Sequence, residues 1–182
     1  MNEGFTLWLT GIQAAGKTTL ATALEKELKA RGLQVENLDG DEVRKALSPN
    51  LGYTEAARDE NTRRLAWLAQ LLSRNGVVAI VAAVSPRRAH RDRARAMNPR
   101  FVEVYVKASL ETVKARDPKG LYAKAERGEV NDLVGVHQPY EEPLACEVIC
   151  DTDNETEQQS LQKILSALED RKLLPPKLLP IA

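Results

Sequence analysis

The chain has few of the residues that staple or metallate a small protein. Only two of its 182 residues are cysteine and two are histidine. Cys146 and Cys150 stand in a C-x3-C spacing that does not resemble a zinc site. They sit on an alternating segment, Glu147–Cys150, that reads as a strand, so both are expected as reduced, buried, small apolar residues rather than a redox pair. Charge of one sign is also missing. Lys plus Arg and Asp plus Glu are 26 each, which excludes a general electrostatic glove for nucleic acid and leaves anion binding to local arrangement. No apolar run approaches eighteen residues, and the N-terminus lacks a basic-then-apolar signal. A soluble, cytoplasmic protein with no membrane partner is expected. Internal repeats and low-complexity linkers are absent too, so residues 1–182 read as a single domain.

What is present begins early. Phe5–Thr10 is a short apolar, β-prone run, and it leads into Gly11-Ile12-Gln13-Ala14-Ala15-Gly16-Lys17-Thr18. That octet satisfies G-x-x-x-x-G-K-[ST], and an Ala-, Leu- and Glu-rich helical stretch follows from Thr19. A loop that curls around a phosphate needs glycines where side chains would block the anion. It also needs free N–H groups at a helix N-terminus, where the dipole favours negative charge. Lys17 supplies a point charge for β- and γ-phosphates, and the Thr18 hydroxyl can ligate Mg2+. The octet therefore reads as a nucleotide-phosphate site.

Strand-like and helical runs alternate, which predicts a parallel sheet with crossover helices. Strands are predicted near 5–10, 34–38, 77–84, 101–106 and 147–150. The run 77–84 is apolar throughout, as suits a central strand buried on both faces. Helices are predicted near 17–31, 41–47, 55–75, 86–97, 109–116, 119–127 and 155–170, with Gly32 and Gly76 placed as C-terminal caps. The tail, 171–182, contains Leu173-Leu174-Pro175-Pro176-Lys177-Leu178-Leu179-Pro180, which cannot be helical. Its leucines either pack on the domain or on a second subunit, or the tail is loosely docked. The fold class is α/β: a three-layer α/β/α P-loop fold on a mainly five-stranded parallel sheet.

The second predicted strand ends in Leu38-Asp39-Gly40-Asp41. Carboxyl ends of neighbouring strands in such a sheet share one crevice, so Asp39 and Asp41 should face the P-loop. There they could hold Mg2+ and take a proton from an attacking hydroxyl; an aspartate N-cap on the next helix is the alternative, and both can hold. Arg58 and Asn61 lie three apart on one helix face that would meet the crevice; a surface ion pair of Arg58 with Glu55 is the alternative. Ser85-Pro86 follows the central strand, where Ser85 can cap a helix whose first turn holds Pro86. The arginines from Arg87 to Arg95 read mainly as a solvated helix face.

Taken in order, GIQAAGKTT at 11–19, LDGDEVR at 38–44, NLGYTEAARDENTRR at 50–64, VSPRRAHRDRAR at 84–95, FVEVYV at 101–106, RDPKGLY at 116–122 and PYEEP at 139–143 resemble the adenylylsulfate kinase family. The likeness runs from Leu7 to Asp153. It implies transfer of the ATP γ-phosphate to the 3′-hydroxyl of adenosine 5′-phosphosulfate (APS), giving PAPS, with Mg2+ as cofactor and a homodimer as the assembly. It implies that Gly11 to Thr19 and Arg116 bind ATP, that Lys17 and Asp41 act in catalysis, and that Thr18 and Asp41 serve the metal. Asp39, Asp41, Arg44, Arg58, Asn61, Val84, Ser85, Lys119, Gly120 and Leu121 would contact APS, with Tyr53 stacked on its adenine and Arg88, the arginine of S-P-x-R, beside it. The family's serine at position 85 is described as a phosphoserine intermediate. An in-line transfer needs positioning rather than a covalent relay, so Ser85 is read as a substrate contact or cap. Segment 116–135 would form a mobile lid, with an ordinary helix–turn–helix connection as the alternative.

The chain departs from the family at several positions. The P-loop interior is Gln13-Ala14-Ala15, where Ser-Gly-Ala or Ser-Gly-Ser is usual; Ala14 is tolerable where φ stays negative. Leu133 stands where a phenylalanine commonly forms the second slice of the adenine sandwich. Ala83 and Arg87 replace aromatic residues, and His137 replaces an aspartate. The phosphoryl-transfer residues are intact. The rival readings are a P-loop kinase for another nucleotide or metabolite, and a non-catalytic ATP-binding regulator. No N-K-x-D sequence reads guanine, which counts against a GTPase switch.

Overall fold

A computed structural model describes residues 4–174. Five strands, β1 (Thr6–Thr10), β2 (Val35–Asp39), β3 (Val78–Ala82), β4 (Phe101–Lys107) and β5 (Val148–Asp151), form one sheet in the order β2-β3-β1-β4-β5. Every pairing is parallel, with Leu7 opposite Ile80 on one side and Val102 on the other. All five residues of β1 and of β3 are buried. Neither face nor edge of these central strands meets water, so β3 is wholly apolar and the two threonine hydroxyls of β1 are bonded internally, Thr6 to Asn98 Oδ1 and Thr10 to the Val84 carbonyl. The edge strands β2 and β5 read differently, with Glu36 and Ile149 exposed.

Alternation along the strands divides the interior into two cores. Leu7, Leu9, Ile80, Val104 and Cys150 face α1 (Lys17–Ala30) and α7 (Glu157–Asp170). Trp8, Ala79, Val81 and Phe101 face the other way, onto α3 (Glu55–Ser73) and α4 (Arg88–Met97). The shorter helices are α2 (Gly40–Leu47), α5 (Leu110–Arg116) and α6 (Leu121–Glu126). Side-chain caps set several starts: Asp39 for α2, Thr54 for α3, Ser109 for α5 and a Thr156/Gln159 capping box for α7. Gly32 and Gly76 follow α1 and α3 with φ of 82° and 84°, as the expected caps.

One start differs from expectation. Ser85 is not the cap of α4, and Pro86 is not in its first turn; the helix begins at Arg88 with Arg87 as its N-cap residue. The reason is tertiary. Ser85 Oγ accepts the indole N–H of Trp8 at 3.2 Å, and the cap of α4 comes from a loop 53 residues away, where Glu141 Oε2 accepts the Arg88 N–H at 2.8 Å. Leu173 and Leu174 do pack on the domain, Leu174 within the α1/α7 core. The rest of the tail lies outside the described residues. Cys150 is buried, and burial pushes its thiol up to about 12. Cys146 is only half-buried, contrary to expectation, because it precedes β5. Among the described residues, no helix is long and apolar enough to cross a membrane.

Candidate active site

A crevice of about 1490 Å3 opens at the carboxyl ends of β1, β2 and β3. Gln13 to Thr19 line one part of it, and Tyr53, Arg58, Asn61 and Leu133 line another. Asp39, Asp41, Ser85 and Lys119 line it as well. One cavity therefore joins the P-loop to the Arg58–Asn61 helix face.

The P-loop half is built from backbone. Gly11 sits so near β4 that a Cβ there would come 2.2 Å from the Val106 carbonyl oxygen. Gly16 turns the chain into α1 with φ of 105°, a region that glycine enters without penalty. Ala14, however, has φ of 61°. The condition for a tolerable alanine is not met, and the loop stores strain that a glycine would not. Lys17 is buried and donates to the carbonyls of Gly11 at 2.9 Å and Ile12 at 2.7 Å. Burial lowers its pKa to about 8, against the pull of Asp41 and Asp39.

At the mouth of the crevice the two aspartates divide their contacts. Asp39 caps α2 and also accepts the Thr18 hydroxyl at 2.9 Å. Asp41 instead pairs with Lys119, Nζ to Oδ2 at 2.5 Å, and that carboxylate raises the Lys119 pKa. Thr18, Asp39 and Asp41 offer only hard oxygen donors. Such a set suits a divalent cation of the magnesium kind, held by few protein groups and by phosphates. The carboxylate that bonds the Thr18 hydroxyl is that of Asp39.

The other half is built from long side chains held by carbonyls. Arg58 is buried and donates through Nε to the Tyr53 carbonyl at 2.9 Å and through Nη2 to that of Asp132 at 2.8 Å. It makes no pair with Glu55, which bonds Arg87 instead. Desolvation is the largest influence on its guanidinium and lowers its pKa. Arg44 donates to the Gly52 carbonyl, and the Arg44 and Arg58 guanidiniums lie 4.7 and 5.3 Å from the centroid of the half-exposed Tyr53 ring. Asn61 is buried and its Oδ1 has no protein partner, an acceptor free for a ligand. Leu133 is 2% exposed. His137 Nδ1 accepts the Leu133 N–H at 3.3 Å, a side-chain bond within this loop.

The segment 116–122 is anchored as well as placed. Arg116 donates to the Thr152 carbonyl and hydroxyl, and Thr152 bonds the Ala15 carbonyl beneath the P-loop. Tyr122 is buried and its hydroxyl donates to the Gln13 carbonyl at 3.0 Å. Val84 and Leu121 reach the crevice, whereas Gly11, Ile12, Gly120 and Arg88 do not line it. Arg88 turns to the Glu142 carbonyl.

Sequence reasoning missed Thr152, Tyr122, Glu141 and above all Arg91. Arg91 is not on a solvated face: it is 2% exposed and pairs with Glu103. The available signal was a lone acid in an otherwise apolar strand, Glu103, facing a basic residue one turn before the buried Ala94.

Comparison with known proteins agrees with this geometry. Residues 3–151 match the family model for adenylylsulphate kinase. A probable adenylyl-sulfate kinase of Pyrococcus abyssi is 49% identical over 95% of this chain and 99% of its own length. A probable bifunctional SAT/APS kinase of Sorangium cellulosum is 47% identical over 95% of this chain, which spans only 30% of that longer protein. An APS kinase of Mycobacterium tuberculosis, solved with AMPPNP and APS, superposes with a TM-score of 0.89 at 35% identity, covering 93% of this chain and 99% of its own. The chain belongs to the adenylylsulfate kinase family.

Proposed function

We propose that this chain transfers the γ-phosphate of Mg-ATP to the 3′-hydroxyl of APS, giving ADP and PAPS. The observation that carries the reading is the single crevice in which Lys17, Asp41 and the Arg58–Asn61 face meet. P-loop N–H groups and Lys17 hold the β- and γ-phosphates, and Arg116, which lines the same crevice, binds ATP with them. Mg2+, held from the Thr18 hydroxyl and the neighbouring aspartates, would neutralise charge on the phosphates. Asp41 orients the 3′-hydroxyl and accepts its proton as the ribose oxygen bonds phosphorus and the bond to ADP breaks. Arg44, Arg58 and Asn61 hold APS, with Tyr53 and Leu133 on either side of its adenine. Lys119 exchanges Asp41 for the charge that builds on the transferred group, and segment 116–135 closes over ATP.

Ser85 serves as a wall of the acceptor pocket, not as a phosphoryl carrier. It is 4% exposed, and its hydroxyl oxygen already accepts the Trp8 N–H. The homodimer and the cytoplasmic setting belong to the same reading and rest on family likeness; light scattering of the purified protein tests the former. The activity is tested by product analysis. With Mg-ATP and APS, PAPS and ADP should form one to one; phosphorylation of another acceptor with none of APS would sink the reading.

A further inference from the structure

One buried cation in this wall takes no part in the reaction described above. Arg91 projects from α4, and its guanidinium reaches three separate segments. Nε donates to Glu103 Oε1 on β4 at 2.7 Å, Nη1 to the Ser85 carbonyl at 2.6 Å, and Nη2 to the Glu141 carbonyl at 2.6 Å. Glu141 answers from the opposite side. Its N–H donates to the Pro86 carbonyl at 2.8 Å, and its carboxylate accepts from the Arg88 N–H and from Arg87 Nη1. Turn 84–88 and segment 139–142 are thereby clasped to each other, with every polar group of Glu141 engaged.

An ion pair with Glu103 alone would require only one of these contacts. The other two go to carbonyls, one of them that of Ser85, whose φ of 44° is unusual for a residue with a side chain. Such a conformation persists when its surroundings over-determine it. Here the carbonyl is held by Arg91 and the hydroxyl by Trp8. Segment 139–142 continues from the loop that presents Leu133, which is closed by Gly135 N–H to the Gln138 carbonyl at 2.7 Å. Both Ser85 and Leu133 line the crevice, while Arg91 does not.

We infer that Arg91 is a positioning residue for the acceptor pocket: its guanidinium fork sets Ser85 and the Leu133-bearing loop at a fixed separation without touching either substrate. The inference rests on the APS reading for the identity of the acceptor but not for the clasp itself. A lysine cannot reproduce the fork, because its single ammonium lacks the fixed planar array of donors.

Two variants separate positioning from mere stability. Arg91→Lys keeps a cation beside Glu103 and loses the fork; KM for APS is expected to rise about tenfold, with KM for ATP changed by less than about twofold. Glu103→Gln removes the charge partner and leaves both carbonyl contacts; it should lower Tm and leave KM for APS unchanged. In parallel, hydrogen exchange at the Glu141 and Arg88 amides should speed up in Arg91→Lys and not in Glu103→Gln, while β1 and β3 amides stay protected. Equal rises in both KM values, an APS effect of Glu103→Gln as large as that of Arg91→Lys, or unaltered exchange at Glu141 would each overturn the inference. If the wild-type protein makes no PAPS, the function reading fails, and the exchange measurement alone still decides the role of Arg91.

Discussion

The two ends of the crevice are built by different means. The P-loop end uses backbone: glycine conformations, a helix N-terminus and one buried lysine that bonds its own loop's carbonyls. The other end, the proposed acceptor site, is lined by Arg44, Tyr53, Arg58 and Asn61, drawn from α2, the following loop and α3, with its arginines fixed through carbonyls as distant as Asp132. Backbone recognition tolerates variation in the side chains around it. Side-chain recognition depends on each anchor, so substitutions at the acceptor end should be selective where those at the donor end are general.

The largest effect is expected where the two ends meet. Asp41→Asn keeps the shape of the carboxylate but not its basicity, and kcat should fall about 10^2–10^4-fold with ATP affinity retained. Steady-state rates and a nucleotide titration check it. Next comes Lys17, whose pKa of about 8 lies inside the working range. Triphosphate binding restores its proton, so the Kd for ATP should rise by about tenfold per pH unit above pH 8. The sign for folding is opposite. The native state binds fewer protons here than the unfolded chain, so stability of the ligand-free protein should increase between about pH 8 and the ordinary lysine pKa. Calorimetry and melting curves across pH 7–10 follow both.

The P-loop was legible because its signal is contiguous: octet, preceding strand and following helix all lie in one segment. The same holds for β3, whose unbroken apolar run marks a strand buried on both faces. Ser85 and Arg91 were misread for the converse reason. The cap of α4 comes from Glu141, and the burial of Arg91 depends on Glu103, Ser85 and Glu141, which no local pattern links to α4. Asp41 was placed rightly in the crevice, but the division of labour with Asp39 followed only from distances. The proposed acceptor residues rest on family likeness plus the three-residue spacing of Arg58 and Asn61, not on composition, and the structure brings them to one crevice.

Two smaller effects refine the contrast. Leu133→Phe restores an aromatic face to the acceptor pocket, and stacking of roughly 0.5–1.5 kcal/mol should lower KM for APS several-fold and leave that for ATP alone. Ala14→Gly relieves a left-handed alanine at a cost in unfolded-chain entropy, so a gain of no more than about 1 kcal/mol in stability is expected by denaturant titration. An unchanged KM for APS in the first, or a destabilised protein in the second, would show that the site has adapted to its departures from the family.

The contrast itself is tested most directly by Arg58→Ala, with APS and a non-hydrolysable ATP analogue titrated separately by calorimetry. Losing charge-assisted contacts of roughly 1.5–3 kcal/mol should weaken APS binding by about tenfold to a hundredfold while the ATP analogue binds as before. Equal loss of both affinities would contradict a crevice with a backbone-built donor end and a separately anchored acceptor end.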